Sequence, residues 1–391
     1  MSQTFKFSNK WLQLALFSKA VKLAVIALAL AWPQNAEAFD SPKTSAKQVF
    51  IQDFETGQIL FEKAAQERMP TSSMSKVITA YAIFDAIEEG KISMDTKYLV
   101  SEKAWRMGGS KMFVPLGEEV SVSDLLKGVI IQSGNDATVV LAEGLSGSEE
   151  GFAKVLNAKA KELGMTNSHF MNASGWPDDN HYSTAEDLGK LATALIKNQK
   201  AHYPLYSETE FKFNDILQYN RNPLLYKNIG ADGIKTGHTE AGGYGLMASA
   251  VNDGRRVIMV INGVPSNEER STEALKLMQW ALSQFENKVI ANPDQILGEA
   301  PILYGKAKVV PYAAQDTLSV TLPTYATGAD VTQENVLKDS IVAPVKKGDV
   351  IGEVSILYKG DVVKTTPLIA LSDVAESNPV MKLFQKIGNA I

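Results

Sequence analysis

Ser73 and Lys76 stand three residues apart in Pro70-Thr71-Ser72-Ser73-Met74-Ser75-Lys76, ahead of an apolar run of Val77, Ile78, Ala80, Tyr81, Ile83 and Phe84. A proline just outside, a Thr/Ser cluster able to cap free N–H groups and apolar residues at helical spacing predict a helix start. Residues three apart share a helix face, so the Ser73 hydroxyl and the Lys76 amine fall within hydrogen-bond reach. A weak nucleophile then has its base beside it. The helix N-terminus adds unpaired N–H groups and a positive dipole end where an oxyanion could form. Taken alone, Ser-x-x-Lys reads as a cap followed by a surface lysine. Its company changes that: Ser133-Gly134-Asn135 and Lys235-Thr236-Gly237 follow in the same chain.

The elements that must position these residues follow from hydrophobic period and breakers. Residues 48–62 read as a hairpin turning at Glu55-Thr56-Gly57, which delivers the chain to Ser73. Gly108-Gly109-Ser110 and Pro115-Leu116-Gly117 mark a loop able to border a site. Val122 to Ile131 and Asp136 to Leu145 read as helices, the first capped by Ser121 or Ser123. Ser133-Gly134-Asn135 lies between them, a turn by composition. Helices over 151–164 and Ala185–Ile196 flank a loop at 172–179. Beyond Gly230 the period becomes two: Ile234–Gly237, Tyr244–Val251 and Arg256–Ile261 read as strands, with a turn at Asn252-Asp253-Gly254. A helix over Ser271–Phe285 covers them. The result is an α+β domain in which a sheet carries Lys235 and helices carry Ser73 and Ser133. The motifs meet only at the seam, where pockets form.

From about Pro293 the composition shifts to Val, Thr, Gly and Pro in short alternating segments, which predicts a small all-β domain. The tail from Ser377 places Val380, Leu383, Phe384, Ile387 and Ile391 at helical spacing. It reads either as a helix lying on a membrane surface or as one packed on its own domain.

Composition bounds the rest. The chain has 391 residues, 45% hydrophobic and 21% charged, which suits two folded domains. Lys6, Lys10, Lys19 and Lys22 precede or flank the apolar stretch Leu23–Trp32, and Ala36-Glu37-Ala38 fits a cleavage site, so residues 1–38 read as a signal peptide with the mature chain starting at Phe39. The apolar core is short for a bilayer span of about 20 residues. The first 38 residues carry +3 and the remainder −8, so a basic nucleic-acid footprint is missing. The chain has no cysteine, which excludes disulfides, thiolate chemistry and cysteine metal sites. His169, His181, His202 and His238 lack metal-ligand spacing, so no metal or cofactor is expected.

The three motifs in this order resemble those of the penicillin-binding proteins and class A β-lactamases. From about Lys47 to the tail the chain resembles the low-molecular-mass penicillin-binding proteins that act as D-alanyl-D-alanine carboxypeptidases. The likeness includes Gln132-Ser-Gly-Asn-Asp-Ala137, Asp232-Gly-Ile-Lys-Thr-Gly-His-Thr239 and Ala343-Pro-Val-Lys-Lys-Gly-Asp-Val-Ile-Gly352. It implies a serine β-lactamase/penicillin-binding-protein-like catalytic domain, an antiparallel sheet with an inserted helical block, followed by a small all-β domain. The expected divisions are a signal peptide at 1–38, the catalytic domain at 39–290, the β-rich domain at 291–376 and an amphipathic tail at 377–391.

The resemblance also implies roles. Ser73 is the acyl-enzyme nucleophile and Lys76 its base; Lys235 across the seam is the candidate cation that helps burial lower the Lys76 pKa. Lys235, Thr236 and Gly237 bind the substrate carboxylate, with Arg221 at the same site or merely on the surface. Ser133 relays a proton to the departing nitrogen, and Asn135 donates to the substrate amide and to Lys76. Backbone N–H groups at Ser73 and His238 form the oxyanion hole; the His238 side chain and Asp187 match positions linked to the site, and Asp187 reads equally as a structural cap. The implied substrate is a peptidoglycan stem peptide ending in D-Ala-D-Ala, with β-lactams as inhibitors. The implied location is the periplasm, peripheral on the outer face of the inner membrane. Two departures bear on this: the middle motif is Ser-Gly-Asn rather than Ser-Asp-Asn, and no Glu-x-x-Leu-Asn stretch supplies a deacylating glutamate, which argues against efficient antibiotic hydrolysis. The expectation is an exported serine D,D-carboxypeptidase. Its rivals are a D,D-endopeptidase using the same residues, a non-catalytic wall-binding protein and a β-lactamase.

Overall fold

Strand period two decides how the central sheet divides the molecule. In the computed structural model, which describes residues 41–380 and 382, β1 (Gln48–Asp53) and β2 (Ile59–Lys63) form the expected hairpin. The signal segment, Phe39 and the tail residues Leu383, Phe384, Ile387 and Ile391 lie outside the described residues. Next come the short helical turn Ser72–Ser75, helix α1 (Lys76–Glu88), β3 (Lys97–Leu99), α2 (Glu102–Arg106) and β4 (Glu119–Ser121), which pairs with β3. The helical block continues with α3 (Val122–Ile130), α4 (Asn135–Ser146), α5 (Glu149–Glu162) and α6 (Ala185–Asn198). A hairpin of β5 (Glu210–Phe213) and β6 (Ile216–Tyr219) leads out of it. Strands β7 (Ala231–Thr239), β8 (Gly243–Asn252) and β9 (Arg255–Val264) then complete an antiparallel sheet in the order β2-β1-β9-β8-β7. The fold is α+β.

Successive residues of these strands point to opposite faces. Phe50, Met247, Ile258 and Val260 join the core of the helical block. Their neighbours Val49, Ile51, Leu246, Val257, Met259 and Ile261 face the other way, onto Leu277 and Met278 of α7 (Asn267–Ser283). Side chains of Ser101, Ser121, Ser148, Thr184 and Ser266 accept the N3 amide of the helix each precedes. Each such cap is worth about 1 kcal/mol. Of the two candidates for α3, Ser121 is the cap and Ser123 lies within the helix.

The second core runs on without a break into the C-terminal domain. There β10 (Phe285–Ala291) pairs with β13 (Leu318–Pro323). Strands β11 (Gly298–Pro301), β12 (Val309–Ala314), β14 (Val331–Leu337), β15 (Val350–Tyr358) and β16 (Asp361–Ala370) form a sheet in the order β11-β12-β16-β15-β14. A buried polar cluster joins the two domains at the β1–β2 turn. Asp53 accepts from the Thr56 amide at 2.9 Å and from Asn287 Nδ2 at 3.1 Å, and pairs with Arg255 Nε at 2.9 Å. Thr56 and Thr321 share a hydroxyl hydrogen bond of 2.6 Å.

Candidate active site

The nucleophile turn departs from the expected helix start. Ser73 lies in a 3-10 turn, Ser72–Ser75, and α1 begins only at Lys76; neither Thr71 nor Ser75 caps with its side chain. In a 3-10 turn residues i and i+3 eclipse, so Ser73 and Lys76 align more closely than on an α-helix. Ser72 enters the turn at φ +51, a left-handed conformation uncommon for serine. Its hydroxyl donates to Thr239 Oγ1 at 3.0 Å, which ties the turn to strand β7. Gly237 makes that contact possible, since a Cβ there would lie 2.9 Å from the Thr71 carbonyl oxygen.

Lys76 is buried, and all three of its donors are engaged. Its Nζ donates to Ser73 Oγ at 2.9 Å, to Asn135 Oδ1 at 2.7 Å and to the Ser174 carbonyl at 2.7 Å. Its pKa is lowered to about 7, first by burial and then by the Arg221 cation, with Asp136 opposing. Asn135 therefore accepts from Lys76 rather than donating to it, which corrects the expected polarity. Its Nδ2 donates to Gly108 O at 2.8 Å and its backbone N–H to Ser110 O at 2.7 Å, so Asn135 holds the 108–110 loop against the site.

Ser133 occupies the tight connection between α3 and α4 at φ +64; its buried Oγ has no hydrogen-bond partner among the described residues. Asp136 fixes this connection from behind, Oδ1 accepting from Met112 N and Oδ2 from Phe113 N, at 2.9 and 2.8 Å.

Lys235 lies on β7, the edge strand facing the Ser73 turn. It is 3% exposed, and among the described residues its Nζ donates only to Thr236 O, at 3.3 Å, and no carboxylate pairs with it. Burial pushes its pKa well below the ordinary lysine value, and the neighbouring cations Lys76, Arg221 and Arg270 push the same way. The cation that lowers Lys76 is thus Arg221, where the expectation named Lys235; the repulsion between the two lysines is felt at Lys235. Arg221 reaches across to Ser110 Oγ at 2.6 Å. Thr236 is buried beside Lys235, while the exposed His238 ring stacks on Tyr244 with centroids 3.9 Å apart. Asp187 is not part of this constellation. It accepts from Asn167 N and Ser168 Oγ, both at 2.8 Å, and pairs with Lys190.

Two participants were not anticipated. The Ser174 carbonyl, a backbone acceptor, carries no residue-type signature; the only hint is the Asn172-to-Gly175 turn that presents it. Arg270 had none. Together the groups form a serine with a depressed-pKa amine at 2.9 Å, a Ser133 hydroxyl, unpartnered among the described residues, two positions before the Asn135 that binds that amine, and a cationic wall, an arrangement suited to acyl transfer on a substrate that ends in a carboxylate.

Residues 35–266 match the D-alanyl-D-alanine carboxypeptidase family, and residues 285–376 match the family of the C-terminal domain of penicillin-binding protein 5. The D-alanyl-D-alanine carboxypeptidase DacC of Escherichia coli is 36% identical over 325 residues, 81% of this chain and 81% of that protein. The crystal structure of penicillin-binding protein 5 from Haemophilus influenzae superposes with a TM-score of 0.80 at 35% identity, over 86% of this chain and all of that one. A D-alanyl-D-alanine endopeptidase of Escherichia coli is more distant, 29% identical over 77% of this chain.

Proposed function

The chain belongs to the D-alanyl-D-alanine carboxypeptidase family, a serine-type peptidase, and we propose that it removes the terminal D-alanine of peptidoglycan stem peptides through an acyl-enzyme on Ser73. The observation that carries this reading is the 2.9 Å contact between Ser73 Oγ and the buried Lys76 amine, whose pKa is lowered to about 7.

The substrate carboxylate seats against Lys235, Thr236 and Arg221, with Gly237 giving the backbone room to approach. That anion supplies the counter-charge Lys235 otherwise lacks and favours the Lys235 cation. Lys76 is then the member of the lysine pair that stays neutral. As a free amine it keeps two donors, which serve Asn135 Oδ1 and Ser174 O, and turns its lone pair to the Ser73 hydroxyl. Ser73 Oγ passes its proton to Lys76 Nζ as it bonds to the penultimate D-alanine carbonyl carbon. The oxyanion takes N–H groups of Ser73 and His238. The C–N bond breaks as Ser133 hands a proton to the departing nitrogen and is resupplied from Lys76, and D-alanine leaves. Water then attacks the ester, the C–O bond breaks, and Ser73 regains its proton. A β-lactam follows the same acylation, its ring amide standing for the scissile bond.

The same proposal covers the setting: export directed by residues 1–38, a catalytic domain at 39–290, a β-rich domain at 291–376, a periplasmic site of action and a tail at 377–391 that contacts the membrane surface. Among the described residues no helix is long and apolar enough to cross a membrane. Mass spectrometry of the mature protein tests the Phe39 start.

The activity is tested on muropeptides containing pentapeptide monomers and cross-linked dimers. Loss of one alanine from the monomers with dimers intact is the expected result; splitting of dimers replaces the reading with an endopeptidase, and no change in a folded sample leaves a wall-binding protein. Ser73→Ala abolishes product and penicillin labelling, and Lys235→Ala weakens both.

A further inference from the structure

His181 is a buried titratable group that the mechanism above does not use. It is 5% exposed and sits at the far end of the loop that carries Ser174. The Met171 backbone N–H donates to its Nδ1 at 3.2 Å, so Nδ1 is the acceptor nitrogen and Nε2 carries the proton. Nε2 then donates to Ser75 Oγ at 2.7 Å, and Ser75 shares a hydroxyl hydrogen bond of 2.5 Å with Thr71. The ring is held edge-on by Phe170, with centroids 5.4 Å apart, and its own backbone N–H donates to Asp178 O at 2.9 Å.

These bonds join two segments that Lys76 requires together. Ser75 lies between Ser73 and Lys76 in the turn; Met171 precedes Ser174, whose carbonyl accepts from Lys76. Apart from Lys76 itself, His181 bonds to both segments at once, through Ser75 Oγ and the Met171 N–H. We propose that His181 is a positioning residue for acylation, a clamp that fixes the Ser73 turn against the Ser174 loop and so sets the Ser73–Lys76 geometry. The clamp needs a neutral ring, because a protonated Nδ1 would confront the Met171 N–H. Burial lowers the His181 pKa to about 4, with His169 and Lys76 acting in the same direction and Asp178 against it, so the ring stays neutral where Lys76 works. The inference rests on the assignment of Ser73 and Lys76 as nucleophile and base.

The test separates binding from acylation in the full chain, using stopped-flow acylation by a fluorescent penicillin in wild type, His181→Phe, His181→Gln, Ser75→Ala and the double variant Ser75→Ala/His181→Phe, with melting curves as a check of folding. The phenylalanine fills the site without hydrogen bonds; the glutamine amide keeps a donor toward Ser75. A sub-ångström misplacement of a base costs on the order of 10- to 100-fold, so the acylation rate constant of His181→Phe falls by about that factor while the binding constant moves by no more than about twofold. His181→Gln recovers most of the rate, Ser75→Ala loses rate in the same direction, and the double variant is no slower than His181→Phe, since one link is broken from either side. The inference is overturned if folded His181→Phe, or Ser75→Ala where His181→Phe does not fold, acylates at the wild-type rate. It also fails if the loss lies in binding alone, if glutamine is as slow as phenylalanine, or if the two single effects multiply. Penicillin labelling of Ser73→Ala, run alongside, would bring down the site assignment instead.

Discussion

Gly175 lies against Ser72 so closely that no side chain fits between them: a Cβ on Gly175 would stand 1.8 Å from the Ser72 carbonyl oxygen. Gly175 also sits at φ +76, where glycine is favoured. Asn172 Oδ1 gathers the amides of Ser174, Gly175 and Trp176 at 3.2, 2.8 and 2.9 Å, which turns the loop tightly enough to make this approach. The Ser174 carbonyl is thereby delivered to Lys76.

Gly175→Ala should therefore damage both fold and chemistry. A left-handed alanine costs about 1–2 kcal/mol and overpacking about 1–3 kcal/mol more. The obstruction is backbone, which cannot swing away. Urea denaturation should show a loss of about 2–5 kcal/mol by that sum, and penicillin acylation of the folded fraction should slow by about 10²-fold or more. Wild-type acylation by a folded Gly175→Ala protein would mean that the loop does not set the position of Lys76.

The lowered Lys76 pKa gives acylation an acid limb. With the folded value at about 7, the free amine is the minor form below that pH, and the second-order rate of acylation should fall tenfold per pH unit there. Lys76 and Lys235 interact, so the apparent value belongs to the pair. Because Arg221 is the cation that lowers Lys76, Arg221→Gln should move the limb to higher pH and raise KM for a carboxylate-bearing peptide. The sign for stability follows from the same shift. Between about 7 and the unfolded value near ~10.4 the unfolded chain binds more protons at this site, so its contribution to stability rises with pH through that window and is flat below it. An Arg221→Gln limb at the wild-type pH would exclude the arginine as the cause.

How much of this was readable depended on whether a residue's type carried the information. The Ser73–Lys76 spacing, the Ser121 cap and the period-two strands around Met247 and Ile258 announce themselves, because capping and alternation are local physics. The β5–β6 hairpin carries a local signature too, Asn214-Asp215 between alternating apolar residues, and both turn residues have positive φ. The Ser174 carbonyl was not legible, since any residue offers one. Nor was the direction of the Asn135–Lys76 bond, because an amide donates or accepts according to what else it must satisfy, here the carbonyl of Gly108.

Asp53 should matter for stability and not for turnover. It serves Thr56, Arg255 and Asn287 at the junction of the domains, with Arg255 only 9% exposed. Asp53→Ala strands a buried guanidinium, a change that costs about 3–5 kcal/mol. Thr321→Val loses only the hydroxyl bonds to Thr56 and Asn287, for about 1–3 kcal/mol. Chemical denaturation should rank the variants in that order, with acylation per folded molecule within about twofold of wild type. The reverse order would place the main strength of the junction in the Thr56–Thr321–Asn287 hydroxyl bonds and not in the Asp53–Arg255 pair.

Asn135→Asp gives the sharpest test of Lys76 as a base. The substitution preserves shape and puts a carboxylate where an amide oxygen now accepts from Lys76 at 2.7 Å. An adjacent anion stabilises the ammonium, so the Lys76 pKa must rise and the free amine must become scarce at neutral pH. Acylation at pH 7 should fall by about tenfold for each unit of that rise and recover as the pH is raised toward 10. Asn135→Ala removes an acceptor without adding charge, so it should slow acylation at every pH and leave the acid limb unshifted to higher pH. Acylation rate constants measured across the interval from the folded Lys76 value of about 7 to the unfolded value near ~10.4 distinguish the two. If Asn135→Asp slowed the reaction uniformly, as alanine does, the proton acceptor for Ser73 would have to be a group other than Lys76.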